Sequence, residues 1–228
     1  METIEILALT LGAGWAAGIN LYAAVFMLGY LGATGDVILP PGLEVLSDPL
    51  LMGVAGIMYC IEFFADKTPG VDTGWDVLHT FVRIPAGAIL AAGAASGFEV
   101  SEAAQLAAAL AGGTLAAGSH LTKTSSRVLI NISPEPVTNW TASIAEDLVV
   151  IGGLWTALHY PLTFLVLLAL FILLVAWLLP KIWRTLKKLI HRLGGLFRRN
   201  GRGIEQNRRK DILQQLYHDA GEKEDRSG

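Results

Sequence analysis

The chain has 228 residues, of which 53% are hydrophobic and 16% charged, with a mean hydropathy of +0.50 and a formal net charge of −3. That composition excludes an ordinary soluble domain, whose core would have to hide apolar segments of roughly 20 residues, the length that crosses a bilayer. One cysteine, Cys60, excludes an internal disulfide and a thiolate metal site, and it reads as a small packing residue.

In chain order, the first predicted element is an apolar helix over 4–31. Its opening residues carry Glu2 and Glu5 and no Lys or Arg, which argues against a cleaved signal peptide and for a retained span. Gly14 and Gly18 form a small-xxx-small face, and Asn20 puts an amide near mid-span. Either the glycines serve helix packing with Asn20 bonded to a neighbour, or the helix is interrupted at Gly18 and Asn20 with freed backbone groups lines a path for an ion or solute.

Span two, at 49–65, leads into the most specific local sequence, Glu62-Phe-Phe-Ala-Asp66-Lys67-Thr-Pro69-Gly-Val-Asp72-Thr-Gly-Trp75-Asp76-Val-Leu-His79-Thr-Phe-Val-Arg83. Glu62 and Asp66 share a helical face, as do Asp76, His79 and Arg83, with Asp72 expected as a cap just before span three at 77–98. The cluster suits a divalent cation held by carboxylates and an imidazole, or a proton relay between crowded acids. A tight turn with ordinary interfacial ion pairing is the plainer reading.

Span four is expected at 102–120, ending on His120, whose imidazole titrates near neutral pH when unperturbed. Span five, at 137–158, starts from Ser133-Pro-Glu-Pro136 and carries Glu146 and Asp147 to mid-depth. Ionised carboxylates there cost about 2.5–3.5 kcal/mol each on insertion scales, so they must be paired, protonated or facing water. After span six, at 161–180, residues 181–199 pattern as a basic amphipathic helix on anionic inner-leaflet lipid, followed by a partly disordered cytoplasmic tail over 200–228. The apolar face and the attachment to span six make lipid, not nucleic acid, the expected partner. A homo-oligomer is left open.

Residues 1–180 hold four basic and 14 acidic groups, whereas residues 181–228 hold 13 basic and six acidic ones. With six spans, every basic residue falls on one face, so the positive-inside rule places both termini and the loops after spans two and four in the cytoplasm. A 100-residue offset aligns Gly12, Gly18 and Asn20 with Gly112, Gly118 and His120, while Asp48 and Gly53 align with Asp147 and Gly152. Both offsets point to two three-helix repeats, 4–98 and 102–180, inverted across the membrane. The fold class expected is therefore an all-α polytopic membrane bundle.

Gly18-Ile-Asn20-Leu-Tyr22, Glu62-Phe-Phe-Ala-Asp66-Lys67-Thr-Pro69 and Asp72-Thr-Gly-Trp75-Asp76-Val-Leu-His79 together resemble a family of bacterial multi-pass membrane proteins catalogued as a domain of unknown function. The resemblance covers roughly residues 5–180 and implies a bacterial inner-membrane setting; it carries no mechanism. From the residues themselves the leading expectation is a small transporter or channel for a small solute or cation. Asn20, His120, Glu146 and Asp147 would line or couple its path, and Glu62, Asp66, Lys67, Asp72, Asp76, His79 and Arg83 would form a cytoplasmic gate or relay. The alternatives are a divalent-metal enzyme acting on a lipid phosphate headgroup and a non-catalytic scaffold. Convergence of Glu62, Asp66, Asp72, Asp76 and His79 within ligand distance at the membrane face, without a path, would favour the enzyme; a polar path joining Asn20 to Asp147 would favour transport.

Overall fold

The computed structural model describes residues 2–68, 70–97, 101–131, 136–178 and 180–181, with backbone alone for Thr73, Asn131 and Pro136. Two compact units divide the chain, Met1–Ala176 and Trp177–Gly228. In the second, the Lys181 ammonium stands 3.4 Å from the Trp177 ring centroid. The expected amphipathic helix after residue 181, the tail, and the Ser133 to Glu135 helix start lie outside the described residues.

Among the described residues the protein is all-helical: α1 Thr3–Thr34, a short 3-10 helix Pro41–Ser47, α2 Pro49–Ala65, α3 Val71–Ala95, α4 Glu102–Asn131, α5 Pro136–His159 and α6 Pro161–Leu178. Local chemistry sets the ends. The Glu2 backbone N–H donates to Glu5 at 2.8 Å to open α1, which stops at Gly35 in the left-handed region, φ 80°. Asp48 caps α2 by accepting from the backbone N–H groups of Leu50 and Leu51 at 2.8 and 3.2 Å, with Pro49 in the first turn. Gly70, φ 87°, turns the chain into α3, so Asp72 sits inside the first turn of that helix rather than just ahead of it.

α1 is not one rod. Asn20 has φ −145° and ψ 96°, extended values inside an otherwise helical run. In a continuous helix Ile6 and Gly32 would stand about 39 Å apart at 1.5 Å per residue. Instead Gly32 packs against Leu39, the adjacent Pro40 packs against Gly97, and Gly97 also meets Ile6. This chain of neighbours brings both ends of α1 to the same end of the bundle. The expected single span over 4–31 is thereby corrected to a helical hairpin with Asn20 at its apex, its halves being about 25 and 21 Å long.

The first half of α1 runs parallel to α4. Gly14 meets Gly112, Gly18 meets Ala116, the Ser119 hydroxyl donates to the Trp15 carbonyl at 2.8 Å, and Lys123 donates to the Ile19 carbonyl at 3.2 Å. Inverted three-helix halves would require the two segments of the 100-residue offset to run antiparallel, so the repeat expectation is corrected on this point. The two glycine-rich segments meet in one close contact through Gly14, Gly18 and Gly112, whereas Gly12 meets Ala157 and Phe164 instead. A Cβ at Gly14 would fall 2.5 Å from the Gly112 Cα, whereas one at Gly118 meets nothing within 4 Å. Gly14→Ala is expected to cost about 1–3 kcal/mol by overpacking and to lower the melting temperature in detergent. Gly118→Ala is expected to leave it unchanged; equal melting temperatures for the two variants would refute this contact.

The core surrounds α1, with Leu9, Trp15, Leu28, Leu43, Leu90, Val150, Leu154 and Phe164 buried together. The outer surfaces are apolar: Leu50, Phe81, Ile89 and Leu173 are all more than 60% exposed. Side chains of that kind find their partners in lipid. By length and composition alone four helices could cross a membrane, α1, most of α3, most of α5, and α6, with α1 divided by its break at Asn20, and the 3-10 helix with α2 forms a fifth candidate bent by 70°. α4 misses that test. Its second half continues through Lys123 and Arg127, which the hydropathy pattern had assigned to a cytoplasmic loop after residue 120.

Candidate functional site

The residues that break the apolar pattern meet beside the apex of the α1 hairpin. α2 ends there with Glu62 and Asp66, α3 begins there with Asp76, His79 and Arg83, α4 brings His120, Lys123 and Arg127, and α5 brings Asn139, Ser143, Glu146 and Asp147. All of them except Glu146 are buried.

Arg83 is held by three groups: Glu62 at 2.5 Å, Asp76 at 3.0 Å and His120 Nδ1 at 3.1 Å. Since the Arg83 guanidinium only donates, His120 Nδ1 accepts, and His120 Nε2 carries the hydrogen that it gives to the Thr80 hydroxyl at 2.7 Å. Lys123 lies at the centre, 2.7 Å from Asp66 and 3.3 Å from Glu62, with Asp76 and Glu146 both at 3.7 Å. Arg127 grips Glu146 through Nε and Nη2 at 3.2 and 2.6 Å, and its Nη1 donates to the Asn139 side chain at 2.6 Å. Such forked contacts fix direction as well as charge.

Arg83, Lys123 and Arg127 are all drawn into the acidic array. Four carboxylates (Glu62, Asp66, Asp76 and Glu146) face these three cations and a fifth, Asp147, is bonded to Asn20, so the carboxylates outnumber the three cations. Glu62 Oε2, Asp66 Oδ1, Asp76 Oδ2 and Asp147 Oδ2 are buried oxygens without a hydrogen-bond partner among the described residues.

At the apex itself the Asn20 side chain does two things. Its oxygen accepts the Ala23 backbone N–H at 3.0 Å, the donor that would serve Ile19 in an unbroken helix, and the Ile19 carbonyl takes Lys123 instead. Its Nδ2 donates to Asp147 at 2.9 Å. Of the two early readings of Asn20, the interrupted helix describes the break, placed at Asn20 rather than Gly18, and the helix–helix hydrogen bond is present too. The Tyr59 hydroxyl also faces Asp147. Tyr59 and Cys60 line a lateral apolar groove of about 760 Å³ with Phe26, Met27 and Met52, so Cys60 is exposed on the bundle's flank rather than packed inside.

α5 continues the polar side chains as a ladder. Asn139, Ser143 and Asp147 are buried at four-residue spacing, one per turn, and are followed on the same face by Val150, Leu154 and Ala157. Polar groups therefore extend from the start of α5 to Asn20 and give way to apolar packing beyond it. Lys67, from the turn between α2 and α3, reaches the Ser143 rung: its ammonium donates to Ser143 at 3.3 Å and to the Phe63 carbonyl at 3.1 Å. Burial pushes the Lys67 ammonium below the ordinary lysine range, opposed chiefly by the charge of Asp147.

Two expected members stand at the rim. Asp72 accepts from the Gly70 N–H at 2.8 Å. His79 donates from Nδ1 to the Trp75 carbonyl at 2.9 Å and accepts at Nε2 from the Tyr22 hydroxyl at 3.1 Å. Among the described residues no three His, Cys, Asp or Glu side chains are placed to hold a metal ion. The physical reason is that Arg83 and Lys123 stand between the carboxylates. Sequence reading missed Lys123, Arg127, Asn139 and Ser143 as site residues. Their signal was helical spacing, His120, Lys123 and Arg127 at i, i+3 and i+7, and Asn139, Ser143 and Asp147 at i, i+4 and i+8.

A protein-family model described as a domain of unknown function, DUF4126, matches residues 7–181. No curated protein and no solved structure matches the chain.

Proposed function

The chain belongs to the DUF4126 family, a domain of unknown function, and we propose that it is a small bacterial inner-membrane transporter or channel that moves a small cation, with a proton as the coupled ion. One observation carries the reading: a broken helix places Asn20 against Asp147, where a polar ladder on α5 ends inside a net-acidic buried network. Interrupted helices whose free backbone groups meet a charged site near mid-bundle are the arrangement by which transporters bind ions. The unpartnered oxygens of Glu62, Asp66 and Asp76 offer places for a proton, and the apolar packing of Val150, Leu154 and Trp15 closes the other half of the route. The metal-enzyme alternative loses its support, since the carboxylates are turned to Arg83, Lys123 and Arg127.

Proteoliposomes carrying a pH-sensitive dye and an imposed membrane potential test the proposal against sodium, ammonium and methylammonium. Cation-dependent change in internal pH is expected with the protein, and traces equal to those of empty vesicles for every cation would overturn it.

The hairpin supports one orientation for the N-terminus. Among the described residues of the bundle, Glu2, Glu5, Asp36, Glu44, Asp48 and Glu102 belong to the end without Lys or Arg, whereas Lys67, Lys123 and Arg127 belong to the apex end. With the apex end cytoplasmic by the positive-inside rule, an N-terminal tag is expected outside the cytoplasm, opposite to the assignment that six straight spans would give. A cysteine-accessibility assay at residue 2 in intact cells reads this directly, and labelling only after the membrane is opened would refute it.

A further inference from the structure

We infer that the Phe63 and Ser143 pocket now filled by the Lys67 ammonium is a binding site for a primary-ammonium cation on the path to Asp147, with Lys67 as its tethered competitor. The inference rests on the transport reading and names the substrate class for it.

Three observations carry it. First, Lys67 is 5% exposed, yet its ammonium makes no ion pair within 4.0 Å among the described residues, whereas Lys123, Arg83 and Arg127 each engage at least two carboxylates. Its hydrogen bonds go to one carbonyl and one hydroxyl, at 3.1 and 3.3 Å. Second, the nitrogen stands over the Phe63 ring, with the Trp140 ring centroid at 5.5 Å. Aromatic faces attract organic ammonium ions through the ring quadrupole, and neutral oxygens accept their N–H groups. A permanently paired lysine is served better by a carboxylate. Third, Ser143 and Asp147 lie one turn apart on the buried face of α5, so a cation leaving the Lys67 position has the Asp147 carboxylate as its next partner about 5–6 Å away.

The neighbouring network adds the driving force. Its acids outnumber Arg83, Lys123 and Arg127, so a mobile cation is attracted toward Asp147 once the Lys67 stem swings into the turn between α2 and α3. The acceptors ask for N–H donors and the ring faces for a compact cation. Methylammonium meets both demands, and tetramethylammonium, which has no N–H, meets only the second.

Binding of methylammonium to purified protein, read by calorimetry, tests the assignment. Lys67→Ala and Lys67→Met are each expected to bind it at least ten-fold more tightly than the wild type, with tetramethylammonium a poor competitor. Asp147→Asn introduced into either variant is expected to reverse most of that gain. The Met variant keeps the buried stem, so it answers the question should the Ala variant fail to fold. Equal affinity for folded Lys67→Met and wild type would overturn the site, as would a gain untouched by Asp147→Asn. Vesicle flux without any gain in amine binding likewise overturns it, while a gain in binding with no flux for any cation overturns the transport reading and leaves the site standing.

Discussion

Asp147→Asn is expected to reduce cation flux in proteoliposomes at least ten-fold, to near the empty-vesicle level, while the protein still folds. The substitution keeps size and shape, and the amide oxygen at 147 accepts from Asn20 Nδ2 as the carboxylate does now at 2.9 Å. What it removes is the charge at the inner end of the polar ladder, the only carboxylate among the described residues there that is bonded to the helix break rather than to a cation. Asn20→Ala attacks the same point from the other side. It deletes the donor to Asp147 and the acceptor for the Ala23 N–H, two buried hydrogen bonds whose loss costs about 1–3 kcal/mol each where a partner is left unsatisfied. A lower melting temperature and loss of flux are expected together for that variant. Wild-type flux from folded Asp147→Asn would remove the carboxylate from the mechanism, and normal flux from both variants would remove the break as well.

The parts of this architecture that sequence made legible are those in which one residue type departs from an apolar background. Asn20 marked a place for either a helix–helix hydrogen bond or an interruption, Pro136 announced the start of α5, and counting from it put Glu146 and Asp147 at the helix centre, where α5 carries them. Each signal is local. What escaped reading depends on partners distant in the chain. An asparagine in a glycine-rich helix says that the hydrogen-bond ladder can break there, but the angle of the break is decided by Leu39, Pro40 and Gly97, which tie the two ends of α1 together. Lys123 and Arg127 were misplaced for a related reason. Hydropathy treats a cation as the end of a span, although α2 and α3 supply it with acids inside the bundle.

The 100-residue similarity shows the same limit from another side. Matching Gly18 to Gly118 assumes that the two glycines do equivalent work, yet a Cβ at Gly18 would collide with α4 while one at Gly118 enters open space. The two segments lie side by side in parallel, and their aligned glycines do not do equivalent work. Removing the inverted repeat leaves the transport proposal intact, because it depends on the break at Asn20 and the ladder on α5 rather than on a two-fold axis.

Lys123→Met is expected to be the most destabilising single change in the network, costing about 3–5 kcal/mol, the range for removing one partner of a buried ion pair. Lys123 is the one cation that touches every acid of the central group, with Asp66, Glu62, Asp76 and Glu146 between 2.7 and 3.7 Å, and it also satisfies the Ile19 carbonyl freed at the helix break. A methionine fills the same volume, so packing survives and the loss is electrostatic. It leaves Asp66 with only the more distant Arg127 contact at 3.6 Å and strips the hairpin apex of a hydrogen bond. Adding Asp66→Asn to Lys123→Met is expected to recover part of the lost stability, because it neutralises the acid left most exposed to repulsion; a purely steric role for Lys123 predicts no recovery. Lys123→Arg is not a conservative replacement, since a planar fork reaches two directions where the ammonium now reaches five acceptors. Melting curves of the single and double variants in one detergent decide the matter, and a Lys123→Met protein as stable as wild type to within about 0.5 kcal/mol would show that the array holds the hairpin apex without its central cation.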